Sequence, residues 1–208
     1  MALLGIPLLL VACQGAAANA PTAGPTAPTT ASPSSTPNRT PSAEPNPTSS
    51  AEPGAYATRC SAKQLTVSWG GRVSEPTGQH TVALTISNGS ASGCYLFGYP
   101  QIALIDRTGR ALPLQYQNDG DQVVTSTPPG HVDLAPRGLA YVTVNKYRCD
   151  TADLMQASDL RLTPPGLTSS FSVSLADNVP MDYCGPDDPG SIVHVSPVAP
   201  TESATEAR

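Results

Sequence analysis

Short runs of alternating apolar and polar residues fill the chain from about Tyr56 to Val198. Alternation with a period of two is typical of β-strands that bury one face. The clearest runs lie at 65–69, 82–86, 160–162, 171–175 and 192–195, with a mostly apolar run at 102–105. Several short strands with turn signals between them predict an all-β, antiparallel β-sandwich.

Turn-forming residues separate the predicted strands. The tetrad at 106–109 reads Asp-Arg-Thr-Gly and predicts a β-hairpin leading into 111–114, where Pro113 indicates an edge strand or a bulge. Only residues 151–157 have a helical pattern, which extends over one or two turns at most. A domain of about 140 residues is long enough to bury a substantial core.

A tract rich in Pro, Thr, Ser and Ala precedes the domain, from Gln14 to Pro53. It has no apolar periodicity and few large side chains, so burial cannot offset its chain entropy and we predict that it is disordered. As polyproline II, at about 3.1 Å per residue, it would reach on the order of 100 Å and act as a stalk. O-glycosylation of this stalk and an unmodified linker are equally open interpretations.

The first twelve residues, 1–12, are almost all apolar but fall short of the roughly 20 residues that a transmembrane helix needs. They fit the apolar part of a secretory signal. The tetrad Leu10-Val11-Ala12-Cys13 resembles the lipobox of bacterial lipoproteins, in which the cysteine sulfur receives a diacylglycerol. Because no Lys or Arg precedes Cys13, we expect the translation start to lie upstream. An incidental cysteine is the alternative.

Four further cysteines lie in the domain: Cys60, Cys94, Cys149 and Cys184. An even set predicts two disulfides, which persist outside the cytosol. Three pairings are possible, and we expect Cys60–Cys94 and Cys149–Cys184, because each pair flanks neighbouring predicted strands. Each closes a loop of about 35 residues, for which the chain-entropy model gives about 4 kcal/mol. The lack of a C-x-x-C pair argues against zinc.

These features divide the chain into four parts. We predict a signal peptide at 1–12, a lipid-anchored disordered stalk at 13–55, a β-sandwich domain at 56–198 and a disordered tail at 199–208. The membrane would be a partner through the lipid on Cys13, which predicts an extracytoplasmic location. The 11 scattered Lys and Arg residues and the net charge of −5 exclude a nucleic-acid partner and a polybasic membrane patch.

The order of several motifs resembles the domain of unknown function 4232 family of bacterial envelope proteins. The matching elements are Cys60, the stretch 88–94, Leu96-Phe97-Gly98-Tyr99-Pro100, Asp106 with Gly109, 134–140, Cys149, 160–166, Cys184-Gly185 and 195–198. The resemblance implies an immunoglobulin-like sandwich, often on actinobacterial lipoproteins. It implies no established activity and no catalytic residues.

Candidate chemistry is sparse. His80, His131 and His194 each stand alone in or beside a predicted strand, and no hydrolase, metalloprotease or phosphate-binding motif is present. The acidic stretches 118–121 and 187–188 could offer oxygen ligands to calcium, but they lack the spacing of a calcium loop and are interpreted as turns. We therefore expect no catalytic residue, no metal site and no cofactor.

Aromatic residues in predicted loops are the remaining candidates. Tyr95, Phe97 and Tyr99 cluster around the Gly-Tyr-Pro element, and Tyr116, Tyr147 and Tyr183 lie near predicted strand ends. Because tyrosine is favoured at binding sites, the first three are predicted to bind a partner. Packing of these rings in the core is the alternative.

Three hypotheses of function follow. The first is a lipid-anchored envelope protein that displays a non-catalytic β-sandwich to a cell-wall or protein partner. The second is a hydrolase acting on wall polymers, which a deep pocket holding a His beside a carboxylate would favour. The third is a metal chaperone using His80, His131 or His194.

The lipobox generates a direct prediction. In cells expressing the protein from its natural start and fed an alkyne fatty acid, we expect wild type to acquire the label. Cys13→Ser should abolish labelling because the thiol is the acylated group, whereas Gln14→Ser should keep it. Measurement is by click fluorescence on a gel, and an unlabelled wild type would exclude the anchor.

Overall fold

Ten strands form the domain in a computed structural model that describes residues 54–72, 76–150, 155–175 and 179–208. Cys13 and most of the predicted signal and stalk lie outside the described residues. The strands are β1 (Leu65–Arg72), β2 (Gln79–Asn88), β3 (Cys94–Phe97), β4 (Gln101–Ile105), β5 (Gln115–Gln117), β6 (His131–Leu134), β7 (Leu139–Tyr147), β8 (Asp159–Thr163), β9 (Phe171–Ser174) and β10 (Ile192–Val195). Short 3-10 turns occupy Ala62–Gln64, Pro189–Ser191 and Glu202–Ala204.

The strands are arranged in three sheets. A five-stranded sheet has the order β1-β2-β7-β10-β5, a three-stranded sheet the order β4-β8-β9, and β3 pairs with β6. The predicted all-β sandwich with two disulfides is confirmed. One pair differs from an antiparallel arrangement, because β5 runs parallel to β10. No hairpin joins these two strands, which are far apart in sequence, so chain connectivity does not impose their relative direction.

The core lies between the five-stranded sheet and the three-stranded sheet. On β2, Val82, Leu84 and Ile86 are fully buried, as the period-two pattern predicts. They belong to one cluster with apolar residues of the neighbouring strands, among them Val142, Val144, Leu104, Leu160, Leu162 and Val193. The pairing of β2 with β7 extends over nine residue pairs and forms the centre of the larger sheet.

Both predicted disulfides are present. Cys60–Cys94 joins the segment before β1 to the start of β3, and Cys149–Cys184 joins the end of β7 to the segment before β10. Backbone pairing supports the first disulfide, since the Cys60 N–H donates to the Tyr95 carbonyl at 3.0 Å. The four domain cysteines are therefore structural cross-links.

The predicted hairpin at 106–109 is present as a tight turn. The Asp106 side chain accepts bonds from the N–H groups of Thr108 and Arg110, and Gly109 has a φ of 83° that favours glycine. The strand expected after it is reduced to a bridge between Ile105 and Ala111. Regular pairing resumes only at β5, beyond Pro113.

Residues 199–208 correct a prediction, because they are folded into the domain and do not form a disordered tail. Ala199 bridges Tyr141, and Glu206 bridges Val124. Thr205 is fully buried, and its hydroxyl lies 2.6 Å from that of Thr143. The polar composition of this segment suggested solvent exposure, but its hydroxyls satisfy polar groups on the outer face of the large sheet.

The predicted helical turn at 151–157 is only partly described, since 151–154 lie outside the described residues. At Met155 the chain forms a β-bridge instead, with hydrogen bonds to and from Tyr183. Within the four described ranges, no helix is long and apolar enough to cross a membrane.

Two leucines on neighbouring central strands test the assignment of the core. Leu84→Ala should lower the free energy of unfolding by about 2–5 kcal/mol, because it leaves a cavity at a fully buried site. Leu139→Ala is the matched control, since that side chain is 46% exposed, and should change stability by less than about 1 kcal/mol. Chemical denaturation measures both values, and equal losses would contradict this core.

Candidate functional site

A small cavity of about 300 Å³ lies at the first end of β2, and we call it the Gln79 pocket. Its polar lining consists of Gln79, Asp121, Gln122 and His194, and its apolar lining of Tyr147, Pro189 and Ile192. The strand register explains why the lining side chains from different strands lie together. Gln79 pairs with Tyr147, and His194 pairs with Asn145 on the same sheet, so these side chains project from one face.

This is the outer face of the sheet, opposite the core, and its part around the pocket is also buried. Thr81, Thr143 and Asn145 are each at most 1% exposed. Residues of the loop after β5 and the C-terminal segment cover them, as shown by bonds from Asn145 to Asp121 and between Thr143 and Thr205. A buried polar group without a hydrogen-bond partner is costly. The polar side chains of this layer therefore have to bond to one another or to the segments that cover them.

Hydrogen bonding fixes the orientation of each amide in the network. The ionised Asp121 carboxylate only accepts, so the Asn145 Nδ2 group must face its Oδ2, at 2.6 Å. The Asn145 Oδ1 then accepts from the Thr81 hydroxyl at 2.6 Å. The same Asn145 Nδ2 donates to Gln79 Oε1, also at 2.6 Å. The Gln79 side-chain amide is therefore oriented with its Oε1 facing Asn145.

As a result of this orientation, the Gln79 Nε2 group is left without a hydrogen-bond partner in the described ranges. Gln79 is only 4% exposed, yet its Nε2 group makes no hydrogen bond to any residue in the described ranges, and the side chain lines the cavity. Asp121 complements it with an acceptor. Of about four acceptor positions on a carboxylate, the N–H groups of Val123 and Val124 and the Asn145 amide occupy three.

His194 lies beside a carboxylate in the same region. Its Nδ1 is 3.3 Å from Asp119 Oδ1, within ion-pair distance, but this contact lacks hydrogen-bond geometry. The His194 side chain is 19% exposed and that of Asp119 is 73% exposed, so water screens the pair. No Ser, Thr or Cys is among the described residues lining the Gln79 pocket. The pocket therefore offers donors and acceptors without an adjacent nucleophile.

A second cluster lies at the β3–β6 pair, where the chain enters the domain. The Asp133 carboxylate accepts the N–H groups of Ala55 at 2.7 Å and Tyr56 at 3.1 Å. We call this contact the entry clasp (residues 54–56 on Asp133). Desolvation, the largest single effect, raises the pKa of Asp133, but the two backbone bonds and neighbouring His131 outweigh it and lower that pKa below its ordinary value.

Aromatic contacts reinforce the entry clasp. The Tyr95 ring stacks on His131, with centroids 4.3 Å apart, and the Arg59 guanidinium lies 5.3 Å from the Tyr95 ring centroid. Gly54 passes so close to His131 that an added Cβ would lie 2.1 Å from the imidazole ring. Tyr95 therefore makes extensive intramolecular contacts.

The three predicted binding residues do not share one environment. Tyr95 and Phe97 lie on β3 and not in a loop, and Phe97 is 45% exposed. Tyr99 follows Gly98, whose φ of 124° turns the chain, and it is half-buried. Partner binding by these residues stays a prediction. Phe97 is the most exposed of the three.

The other candidate groups have structural contacts. His80, His131 and His194 lie on β2, β6 and β10, and the described part of the chain contains no cluster of three or more potential metal-binding side chains. Asp121 and Asp188 accept backbone N–H groups within their own loops, from Val123 and Val124 and from Gly190. These bonds agree with the interpretation of both acidic stretches as turns.

Sequence inspection did not identify Gln79 or Asn145 as site residues. The available signal was Asn145 directly after the apolar Val142-Thr143-Val144 run, since an amide in a buried strand requires partners. Finding those partners requires the strand register and the fold of the loop at 118–125, neither of which the local pattern specifies.

Comparison with known protein families identifies the family of this domain. A family model described as "Domain of unknown function (DUF4232)" matches residues 60–199, which confirms the resemblance seen in the sequence motifs. No curated protein and no solved structure matches the chain.

The entry clasp predicts a pH-dependent contribution to stability. Because the folded-state pKa of Asp133 is lowered, its contribution is present above the ordinary carboxyl value of 3.8 and is lost as pH falls through the folded-state pKa. Asp133→Asn should therefore destabilise the protein at neutral pH, and the difference from wild type should shrink in acid. Thermal unfolding across this range measures it.

Asp187→Asn provides the matched control, because it removes the same charge from an exposed loop. Its melting temperature should follow wild type at every pH. A difference between Asp133→Asn and wild type that stays constant into strong acid would show that the Asp133 charge does not hold the clasp.

Proposed function

Since the chain belongs to a family defined as a domain of unknown function, DUF4232, we propose its role from its own residues. It is a lipid-anchored cell-envelope protein that displays a non-catalytic β-sandwich for binding, and the Gln79 pocket is its ligand site. The observation that carries this proposal is the oriented Gln79 donor, which belongs to a buried side chain that lines the pocket and which has no hydrogen-bond partner in the described ranges. Pockets with a few fixed polar groups are the usual form of a small-ligand site.

The position of the pocket within the domain supports display. Gln79 and Asn88 are the two ends of β2, roughly 30 Å apart at about 3.3 Å per residue. Asn88 donates to the Leu134 carbonyl, and Leu134 pairs with Cys94. The entry clasp and the Cys60–Cys94 disulfide therefore lie toward the Asn88 end. The pocket therefore lies at the opposite end of β2 from the point at which the described chain enters the domain.

The envelope location rests on three sequence features: Cys13 in a lipobox, the Pro-rich tract and an even cysteine set. The two disulfides of the domain support an oxidising compartment. A non-catalytic role is supported by the His194 environment, since a general base needs a reacting group within hydrogen-bond reach and no Ser, Thr or Cys side chain is among the described lining residues.

A wall hydrolase is the second candidate, because His194 does lie beside Asp119. The cavity is small and open at the surface, and this pair would have to activate water directly. Release of soluble fragments from wall material, lost in His194→Gln, is the observation that would favour the enzyme over a binding protein.

Cosedimentation tests the proposal. The full chain carrying Cys13→Ser, which cannot be acylated, should pellet with lipid-extracted envelope fragments. Adding Gln122→Ala and Tyr147→Leu should weaken this binding at least about tenfold, because both the polar rim and the apolar wall of the pocket change. Phe97→Ala in the same background is the control for the predicted aromatic surface.

Three results would contradict the proposal. Retention that is insensitive to the pocket substitutions but lost in Phe97→Ala would place binding at β3. Soluble fragments that accumulate with time would replace binding by hydrolysis. Cys13→Ser protein with an unaltered pocket that remains entirely in the supernatant would exclude an envelope ligand for this domain.

A further inference from the structure

We propose that the Gln79 pocket binds a single neutral sugar ring, such as one unit of an envelope polysaccharide. This inference rests on the binding role proposed above and names the class of its ligand. It depends on three properties of the pocket: the kind of hydrogen-bonding groups, their charge and the shape of the apolar wall.

The hydrogen-bonding groups suit hydroxyls. Gln79 presents an N–H donor with no partner among the residues that the structure describes, and the neighbouring Asp121 has one of about four acceptor positions left. Gln79 Oε1 and Asp121 Oδ2 both accept from the same Asn145 nitrogen at 2.6 Å, so the two side chains that carry the donor and the acceptor are neighbours. A hydroxyl donates and accepts at one oxygen, and two adjacent hydroxyls of a sugar can engage both groups.

The charges in and around the pocket favour a neutral ligand. Asp121 lines the cavity and Asp119 lies at His194, while no Lys or Arg is among the described lining residues, so an anion would be repelled. A cation would be attracted to the carboxylates but would meet the Gln79 Nε2 group, which only donates. A neutral group that both accepts and donates satisfies all of these residues.

The apolar wall suits the C–H face of a sugar ring. Tyr147, Ile192 and Pro189 line the cavity beside the polar groups. The Arg148 guanidinium lies 5.8 Å from the Tyr147 ring centroid, on a side chain that is 58% exposed and paired with Asp150. The volume of about 300 Å³ is at the lower limit for ligand sites, which matches one ring and not an extended peptide.

Nuclear magnetic resonance of the full chain with Cys13→Ser provides the test. Methyl glycosides of glucose, galactose, mannose and N-acetylglucosamine are titrated to about 50 mM, well above a dissociation constant of about 1 mM. At least one glycoside should shift the backbone amides of Gln79, Gln122 and Tyr147. Lysinamide, glucuronate and an acetylated, amidated trialanine are the cationic, anionic and peptide comparison probes.

Two variants and a matched control connect these shifts to the pocket. Gln79→Glu replaces the donor with an acceptor at constant shape and should weaken glycoside binding at least about tenfold. Gln101→Glu makes the same change at an exposed position on β4 and should bind like wild type. If Gln79→Glu does not fold, Gln122→Ala, at the exposed rim of the pocket, is used in its place. It should weaken glycoside binding about threefold or more.

The outcomes separate the ligand class from the proposed function. Shifts at the pocket with lysinamide, glucuronate or the peptide but with no glycoside would overturn the sugar and leave the pocket as the ligand site. Glycoside shifts confined to Phe97 and its neighbours would overturn both. If no probe causes a shift, the sugar inference is overturned. The binding role proposed for the domain is then decided by the cosedimentation experiment alone.

Discussion

Burial of the central part of the five-stranded sheet on both faces is the constraint on which the rest of this domain depends. The inner face carries Val82, Leu84 and Ile86, which apolar packing satisfies. The outer face carries Thr81, Thr143 and Asn145, which are equally buried but polar. Each of these outer groups requires a hydrogen-bonding partner, and leaving one without a partner would cost about 1–3 kcal/mol.

The segments that supply these partners are the loop after β5 and the C-terminal residues. Asp121 bonds to Asn145, and Thr205 bonds to Thr143, so two stretches without long regular structure become an outer layer. The Gln79 pocket lies beside the edge of this layer. Because Asn145 Nδ2 donates to Gln79 Oε1, the Gln79 Nε2 group has no partner in the four described ranges, so the network that satisfies the sheet also orients this pocket donor.

Local pattern was sufficient for the parts of the fold that follow a period of two. The apolar alternation at 82–86 predicted both a strand and its buried face, and neighbouring predicted strands were enough to pair Cys60 with Cys94. It failed for residues 199–208, because hydroxyl side chains satisfy buried groups as readily as they face water. The local pattern also placed Tyr95 in a loop, because β3 has only four residues and such a short strand shows little alternation. The pocket depends on register across β2, β7 and β10, which contacts distant in sequence determine.

The way the chain enters the domain has a mechanical consequence. Tension on the chain at residue 54 first loads the Asp133 hydrogen bonds to Ala55 and Tyr56, which are non-covalent and can break and re-form. Beyond them the load reaches the covalent Cys60–Cys94 cross-link and passes into β3. Because that cross-link precedes Leu65, force is diverted before it can peel β1 from the sheet. Force applied at residue 54 would therefore load the clasp first, the Cys60–Cys94 cross-link next and β1 only afterwards.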